Sequence, residues 1–374
     1  MISFLHTADW QIGRVFSQFE PDDAAALFEA RFVAVERLAS IATGQGVDAV
    51  VVAGDVFDAQ TVADKTIRRL FNAMQGFAGT WVLMPGNHDA ALTESVWTRA
   101  YRTGAIPSNV TCCLESKPIV VANKFTLLPA PLIQRHTYGD LTEWFSTVRT
   151  GGGLPRIGLA HGCVQGILSG DIDSANPIAA GRAQEAGLAY LALGDWHGTK
   201  RIDERTWYAG TPETDRFKAN DSGQALLVSI GSEGEMPVVK PVRTGKFNWQ
   251  LLEKQLAVDS DVDELAATLN SASSDDVLQV RTTGTCNLAG YRKLSAALDT
   301  SRAKVRGLVW DGAALTLEPT EEDIQTLRAD GFVGEVLQEL RSEQSGGDPN
   351  LARDALLALA RILDAQGHRQ GTGT

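Results

Sequence analysis

Five short apolar runs, each breaking off at a polar residue able to bind a metal, constrain this chain more than any other feature. They read ISFLHTAD up to Asp9, VDAVVVAGD up to Asp55, WVLMPGNHD through Asn87, His88 and Asp89, RIGLAHG through His161, and YLALGDWH through Asp195 and His197. A brief apolar run closed by turn residues suits a fully buried strand. Open α/β sheets gather their ligands beyond the carboxyl ends of such strands. Five strand ends carrying Asp, Asn and His are therefore expected to converge on one spot from distant parts of the chain.

The remaining pattern sets the frame around that spot. Between residues 1 and about 244, helical periodicities at 21–42, 62–74 and 93–102, the last with Thr93 as N-cap, alternate with the strands. Beyond residue 110 strand-like runs such as NVTCCLE, KFTLLPAP and GQALLVSI become commoner. Alternation giving way to antiparallel-looking pairs predicts a two-sheet α/β sandwich over residues 1–245. Residues 246–318 read as a small α+β module of about 70 residues that ends in the strand-like runs KVRGLVWDG and ALTLEP. From 319 to 374 the chain reads as helical, with Leu351, Ala355, Leu356, Leu359, Ile362 and Leu363 on one face. Such a face packs on its own domain or on a partner. The final QGHRQGTGT, with His368, is expected to be disordered.

Composition excludes several classes. Of 374 residues, 44% are apolar and 21% charged, as in ordinary globular chains. No run approaches the roughly 18 apolar residues of a membrane span. The start, MISFLHTAD, reads as a strand and not a signal peptide. Cys112, Cys113, Cys163 and Cys286 lack zinc-like spacing and are expected to be reduced core thiols of a cytoplasmic protein. A formal charge of -12 argues against wrapping duplex DNA on a broad basic surface. It leaves a phosphodiester substrate open, because two bound divalent ions return four positive charges to a cleft.

The donor types point to a two-metal phosphoesterase, which holds its cations about 3.5–4 Å apart around a bridging carboxylate. Asp55 is the natural bridge, with Gly54 turning the backbone sharply off its strand. Asn87 offers an amide oxygen, and His161 and His197 offer imidazoles. His88 points away from Asn87's direction and suits chemistry above the metals, with Asp89 fixing its tautomer.

These motifs resemble the calcineurin-like metallophosphoesterase superfamily, and HTADWQIGR, AGDVFD and MPGNHD resemble more narrowly its SbcD-type DNA repair exonucleases. The resemblance implies a four-layer α/β/β/α sandwich, a small capping domain and a C-terminal helical segment. It implies one metal on Asp9, Gln11, Asp55 and His197, and a second on Asp55, Asn87, His161 and Asp195. His88 would be the catalytic histidine, with Asp58 beside the cleft. Gln11 and Asp195 stand where the family pattern has histidines. Three carboxylates against two divalent ions leave a site near +1, and oxygen in place of nitrogen shifts preference toward Mn²⁺ or Mg²⁺ and away from zinc.

The implied activity is a DNA exonuclease, with endonuclease action left open. It would work as a homodimer with an SbcC-like, SMC-type ATPase docked on the C-terminal helices. A chain ending near residue 318 is then expected to keep its fold and metal binding while losing that ATPase. Phosphodiesterase action on small diesters, or DNA-end binding without catalysis, are the alternatives. Arg14, Lys200, Arg201, Arg216 and Lys218, with Phe217 for base stacking, form a cationic group that either contacts the DNA backbone or is ordinary surface charge. Arg135 beside His136 poses the same choice. Trp10 and Trp196 either wall the site or stack on a nucleobase. His6 reads as a packed histidine.

Overall fold

Side-chain alternation along the apolar runs feeds two separate cores, and this builds the architecture. The computed structural model describes residues 1–151, 153–167, 176–231, 234–318, 320, 332–344, 348 and 351–359. His368, Ile362, Leu363 and the tail expected to be disordered lie outside the described residues. The chain divides into two compact units, Met1–Phe247 and Asn248–Thr374.

The first unit begins β1 (Ile2–Thr7), α1 (Pro21–Gln45), β2 (Ala49–Ala53), α2 (Asp64–Ala73), β3 (Thr80–Met84), α3 (Val96–Arg102) and β4 (Val110–Cys112). It continues with β5 (Ile119–Val121), β6 (Phe125–Ala130), α4 (Trp144–Thr147), β7 (Arg156–His161), β8 (Cys163–Val164) and β9 (Pro177–Ile178). Then come α5 (Arg182–Glu185), β10 (Tyr190–Gly194), β11 (Lys200–Arg201), β12 (Thr206–Tyr208), β13 (Gln224–Ile230) and β14 (Val238–Arg243). Two six-stranded sheets result, ordered β14-β13-β1-β2-β3-β4 and β11-β12-β10-β7-β6-β5. β1 to β4 are parallel neighbours, as are β6, β7, β10 and β12. The other pairings within these sheets are antiparallel.

Period-two alternation assigns each face. Val50 and Val52 of β2 join Phe32 and Leu38 of α1 and Leu70 and Phe71 of α2 in one core. Val51 and Ala53 point the other way, into a core shared with Leu127, Leu159 and Ala192 of the second sheet. Phe4 crosses between the sheets, its ring 5.6 Å from Phe125 and 5.7 Å from Tyr190. On the far side, Leu191 and Leu193 of β10 pack with Phe145 of α4 and Ala183 of α5. The order is thus helix, sheet, sheet, helix. His6 is a packed histidine between the sheets, bonded through Nδ1 to Tyr190 Oη at 3.0 Å and through Nε2 to Leu193 O at 3.2 Å. α3 starts later than its periodicity suggests. Ser95, not Thr93, is the N-cap, accepting from Thr98 N while Thr98 Oγ1 accepts from Ser95 N. The four cysteines are free thiols, three of them buried.

In the second unit β15 (Asn248–Leu256), β16 (Asp276–Cys286) and β17 (Gly307–Leu317) form a parallel sheet. α6 (Asp259–Ser271) and α7 (Leu288–Arg302) make the crossovers, and α8 (Phe332–Glu343) follows. The runs KVRGLVWDG and ALTLEP meet within the single strand β17, whose register against β16 slips between Asp311 and Ala314 as a bulge. Leu337 and Leu356 from the C-terminal helices enter the same core as Leu278, Leu294 and Leu317. Gln344 pairs both ways with Leu317, donating to its carbonyl at 2.7 Å and accepting from its N–H at 2.8 Å. A chain ending at 318 would lose these contacts from the unit's interior, which argues against the expectation that the fold survives that cut undisturbed. Among the described residues, no helix is long and apolar enough to cross a membrane.

Candidate metal centre

Ligand candidates follow the carboxyl ends of five strands drawn from both sheets: Asp9 and Gln11 after β1, Asp55 after β2, Asn87 and His88 after β3, His161 closing β7, and Asp195 and His197 after β10. The backbone bends sharply at several of these exits. Asp9, Gln11, Asp55 and Asp195 have φ of 52°, 48°, 51° and 103°, a region that disfavours residues other than glycine. Two glycines make room. Gly54, at φ 89°, lets His161 approach; a Cβ there would lie 2.2 Å from its Nδ1. At Gly86 a Cβ would meet Asp55 Oδ1 at 2.2 Å. Ligand atoms of Asp9, Asp55 and His161 all lie within 4.8 Å of one another.

His161 Nδ1 donates to Ala53 O at 2.8 Å, which directs Nε2 into the cluster. Nε2 faces Asn87 Oδ1 at 3.1 Å, Asp55 Oδ1 at 3.6 Å and Asp195 Oδ1 at 3.7 Å. The other Asp55 oxygen, Oδ2, accepts from Gln11 Nε2 at 2.7 Å. Gln11 Oε1 is buried with no hydrogen-bond partner among the described residues. An orphaned buried acceptor, and an imidazole lone pair aimed at three oxygens, are what a cation relieves. The residues fit divalent ions.

Electrostatics agree. Burial raises Asp9 above the ordinary carboxylate range, partly offset by His197 and His161. Asp195 is raised to about 6, again chiefly by burial. Burial alone would lower His161, but Asp55, Asp195 and Asp9 outweigh it and lift the imidazole to about 9. Positive charge is wanted here, and without a metal a proton supplies it.

The catalytic candidates divide. His88 is at the rim, its side chain 34% exposed, with Nε2 4.0 Å from Asp55 Oδ2. Its Nδ1 bonds to the backbone carbonyl of Asp58 at 2.8 Å. Asp89, expected to fix this ring, is engaged elsewhere: it accepts from Gly86 N at 2.6 Å and from Phe57 N at 3.1 Å, bracing the two ligand turns. Burial, with the Asp55 charge, raises it to about 7.

Of the cationic residues, Arg14 and Arg216 turn inward onto Asp215, each at 3.1 Å. Lys200 and Lys218 lie 5.6 and 4.6 Å from the Trp196 ring centroid. Phe217 packs beside Phe19 at 6.3 Å, and Arg201 lies over Trp207. Arg135 lines a pocket of about 240 Å³ together with Asp58, Asn87 and His88. Trp10 is buried, donates to Thr7 Oγ1 at 3.0 Å and packs edge-on against Trp81, so it is core and stacks on no base.

Sequence reasoning misses Asp215 and Arg31. Asp215 accepts from His197 Nδ1 at 2.8 Å. Burial would raise this carboxyl, but His197, Arg216 and Arg31 hold it well below the ordinary range. The available signals are a second acid two residues after Glu213 in TPETDR, and an arginine on the apolar face of α1.

A family model for calcineurin-like phosphoesterase matches residues 2–229. Over 92 residues the chain is 36% identical to the SbcD component of the nuclease SbcCD of Rhodobacter capsulatus, a match covering 23% of this chain and 21% of that protein. The crystal structure of TT1561 of Thermus thermophilus superposes at a TM-score of 0.41 with 12% identity, covering 65% of this chain and 99% of that one. Another solved structure gives 0.40 with 11% identity, over 65% of this chain and 98% of its own.

Proposed function

This chain belongs to the calcineurin-like phosphoesterase family, a family of metal-dependent phosphoester hydrolases, and from that premise we propose that it is a two-metal DNA nuclease acting on strand ends. The observation that carries the reading is Asp55. One of its oxygens faces His161 Nε2 while the other faces Gln11, so a single carboxylate addresses both halves of the centre. Asp9, Gln11 and His197 would hold one ion with it, and Asn87, His161 and Asp195 the other. Bound divalent ions would supply Lewis-acid stabilisation of the phosphoryl group and an acidified water. With three carboxylates and two amides in the donor set, Mn²⁺ is the preferred ion, with Mg²⁺ second and zinc poor.

The chain's own residues do the rest. The Asp58 carbonyl holds a proton on His88 Nδ1, so Nε2 is the atom that exchanges protons with the substrate. Protonated, it donates to the phosphate or the leaving oxygen, a contribution of typically about 10²–10⁴-fold. Arg135, on the same pocket, supplies a guanidinium for a neighbouring phosphate. Lys200 and Lys218, parked on Trp196 between Asp195 and His197, extend that field for a DNA backbone. The short match to an SbcCD nuclease component supports DNA as substrate. Because that relative is one subunit of a named assembly, the match also supports a partner subunit; we propose that this partner is an SMC-type ATPase and that the chain acts as a homodimer. That ATPase would meet the outward sides of the C-terminal helices, where Phe332 and Leu351 are 77% and 66% exposed.

One assay decides among the readings. Purified protein with Mn²⁺ is given end-labelled DNA and, separately, bis-p-nitrophenyl phosphate, alongside His88→Ala. DNA degradation that falls at least about 100-fold in the variant, with Mn²⁺ binding retained, is the expected result. Hydrolysis of the small diester alone would instead indicate a small-substrate phosphodiesterase. DNA binding without any hydrolysis would indicate a non-catalytic end-binding protein.

A further inference from the structure

Arg31, on α1, is 2% exposed, yet among the described residues its guanidinium donates to no carboxylate. It reaches four other acceptors. Nε donates to Trp10 O at 2.7 Å and Nη2 to Asp9 O at 3.4 Å. Nη2 also donates to Thr211 Oγ1, and Nη1 to Glu213 O, both at 3.2 Å. Two segments remote in sequence are thus held by one planar group: the turn after β1, bearing Asp9 and Gln11, and the loop between β12 and β13, bearing Asp215.

Each segment needs this tie. Asp9 and Gln11 are left-handed, and the two carbonyls between them, of Asp9 and Trp10, find their donor in the buried Arg31 guanidinium. The other segment is fastened at Glu213, whose carboxylate accepts from Lys246 N at 2.6 Å and Phe247 N at 3.1 Å. From there the chain runs two residues to Asp215, which holds His197 Nδ1. Its four bonds all fall on these two segments, and none goes to Asn87, His161 or Asp195.

We infer that Arg31 is the positioning residue of one half of the metal centre: it sets the Asp9–Gln11 turn against the Asp215 loop, so that His197 is presented to the same ion as Asp9 and Gln11. The inference rests on the two-metal reading above. A lysine keeps the charge but, as a single point donor, cannot span both segments.

The test is Mn²⁺ titration of the full chain by calorimetry and electron paramagnetic resonance. It compares wild type with Arg31→Lys, Arg31→Met and Asp215→Asn, with melting temperatures recorded for each. Wild type is expected to bind two equivalents. Arg31→Met and Asp215→Asn should each weaken one equivalent by ~10–100-fold and leave the other unchanged, with Arg31→Lys between. Arg31 and Asp215 substitutions combined should weaken that equivalent no further than either alone. Equal weakening of both equivalents, or wild-type binding in a folded Arg31→Lys protein, would overturn the inference. Should Arg31→Met not fold, Arg31→Lys and Asp215→Asn carry the comparison alone. Wild-type protein that takes up no Mn²⁺ would sink the two-metal reading, and this inference with it.

Discussion

Asp9, Asp55, Asn87, His161 and Asp195 are legible in the sequence because each ends a buried run, and a strand must leave its sheet at a defined point. Asp215 and Arg31 are not, because they act through tertiary contacts that no local pattern announces. Asp89 misleads for a related reason. Adjacency to His88 suggests a pair, but neighbours leaving a tight turn point apart, and its carboxylate braces backbone amides instead. His6 offers a prediction at this scale. Burial lowers its imidazole from 6.5 to about 3. The unfolded chain therefore binds a proton that the folded chain refuses. Stability is full above pH 6.5 and falls as pH drops from there toward about 3, by up to about 1.4 kcal/mol per pH unit. Urea unfolding of His6→Gln across that window should show a slope shallower by about that amount. An unchanged slope would mean His6 is protonated within the fold.

Among the elements, period-two strands and the long helix α1 are plain, with Pro21 opening the helix and Gly46 closing it in a left-handed cap. What misleads are residues whose role depends on the third dimension. Thr93 reads as the cap on paper, but it is Ser95 that meets a threonine returning its hydrogen bond. KVRGLVWDG and ALTLEP are two runs on paper, yet β16 pairs with both in one strand. The C-terminal helices offer an apolar face without saying what it covers, and Leu337, Leu356 and Gln344 show that it completes the β15–β17 module. Ending the chain after Glu318 should destabilise that unit by ~5 kcal/mol or more, from the loss of two buried leucines alone. Limited proteolysis should then cut within 248–318 under conditions where the full chain resists. Equal resistance would show those helices to be dispensable.

On the scale of the whole molecule, an acidic chain gathers carboxylates where two sheets meet. The field there is relieved by cations, so folding and metal uptake are linked. At Mn²⁺ a hundredfold above its dissociation constant, each ion taken up would add ~2.7 kcal/mol to stability. For a unit of this size that should raise the melting temperature by roughly 5–10 °C per site, and a chelator should abolish the rise. A melting temperature indifferent to Mn²⁺ would contradict the donor geometry.

β1 sits between β2 and β13, with Ile2 opposite Ile230. During synthesis the first strand therefore waits for one of the last strands of its unit before its edge is closed. Asp9 and Gln11 are made before His197 and cannot meet it until β10 has followed. A centre drawn from both β1 and β10 is thus assembled late in synthesis: until β10 has been made, the residue proposed to share an ion with Asp9 and Gln11 is missing.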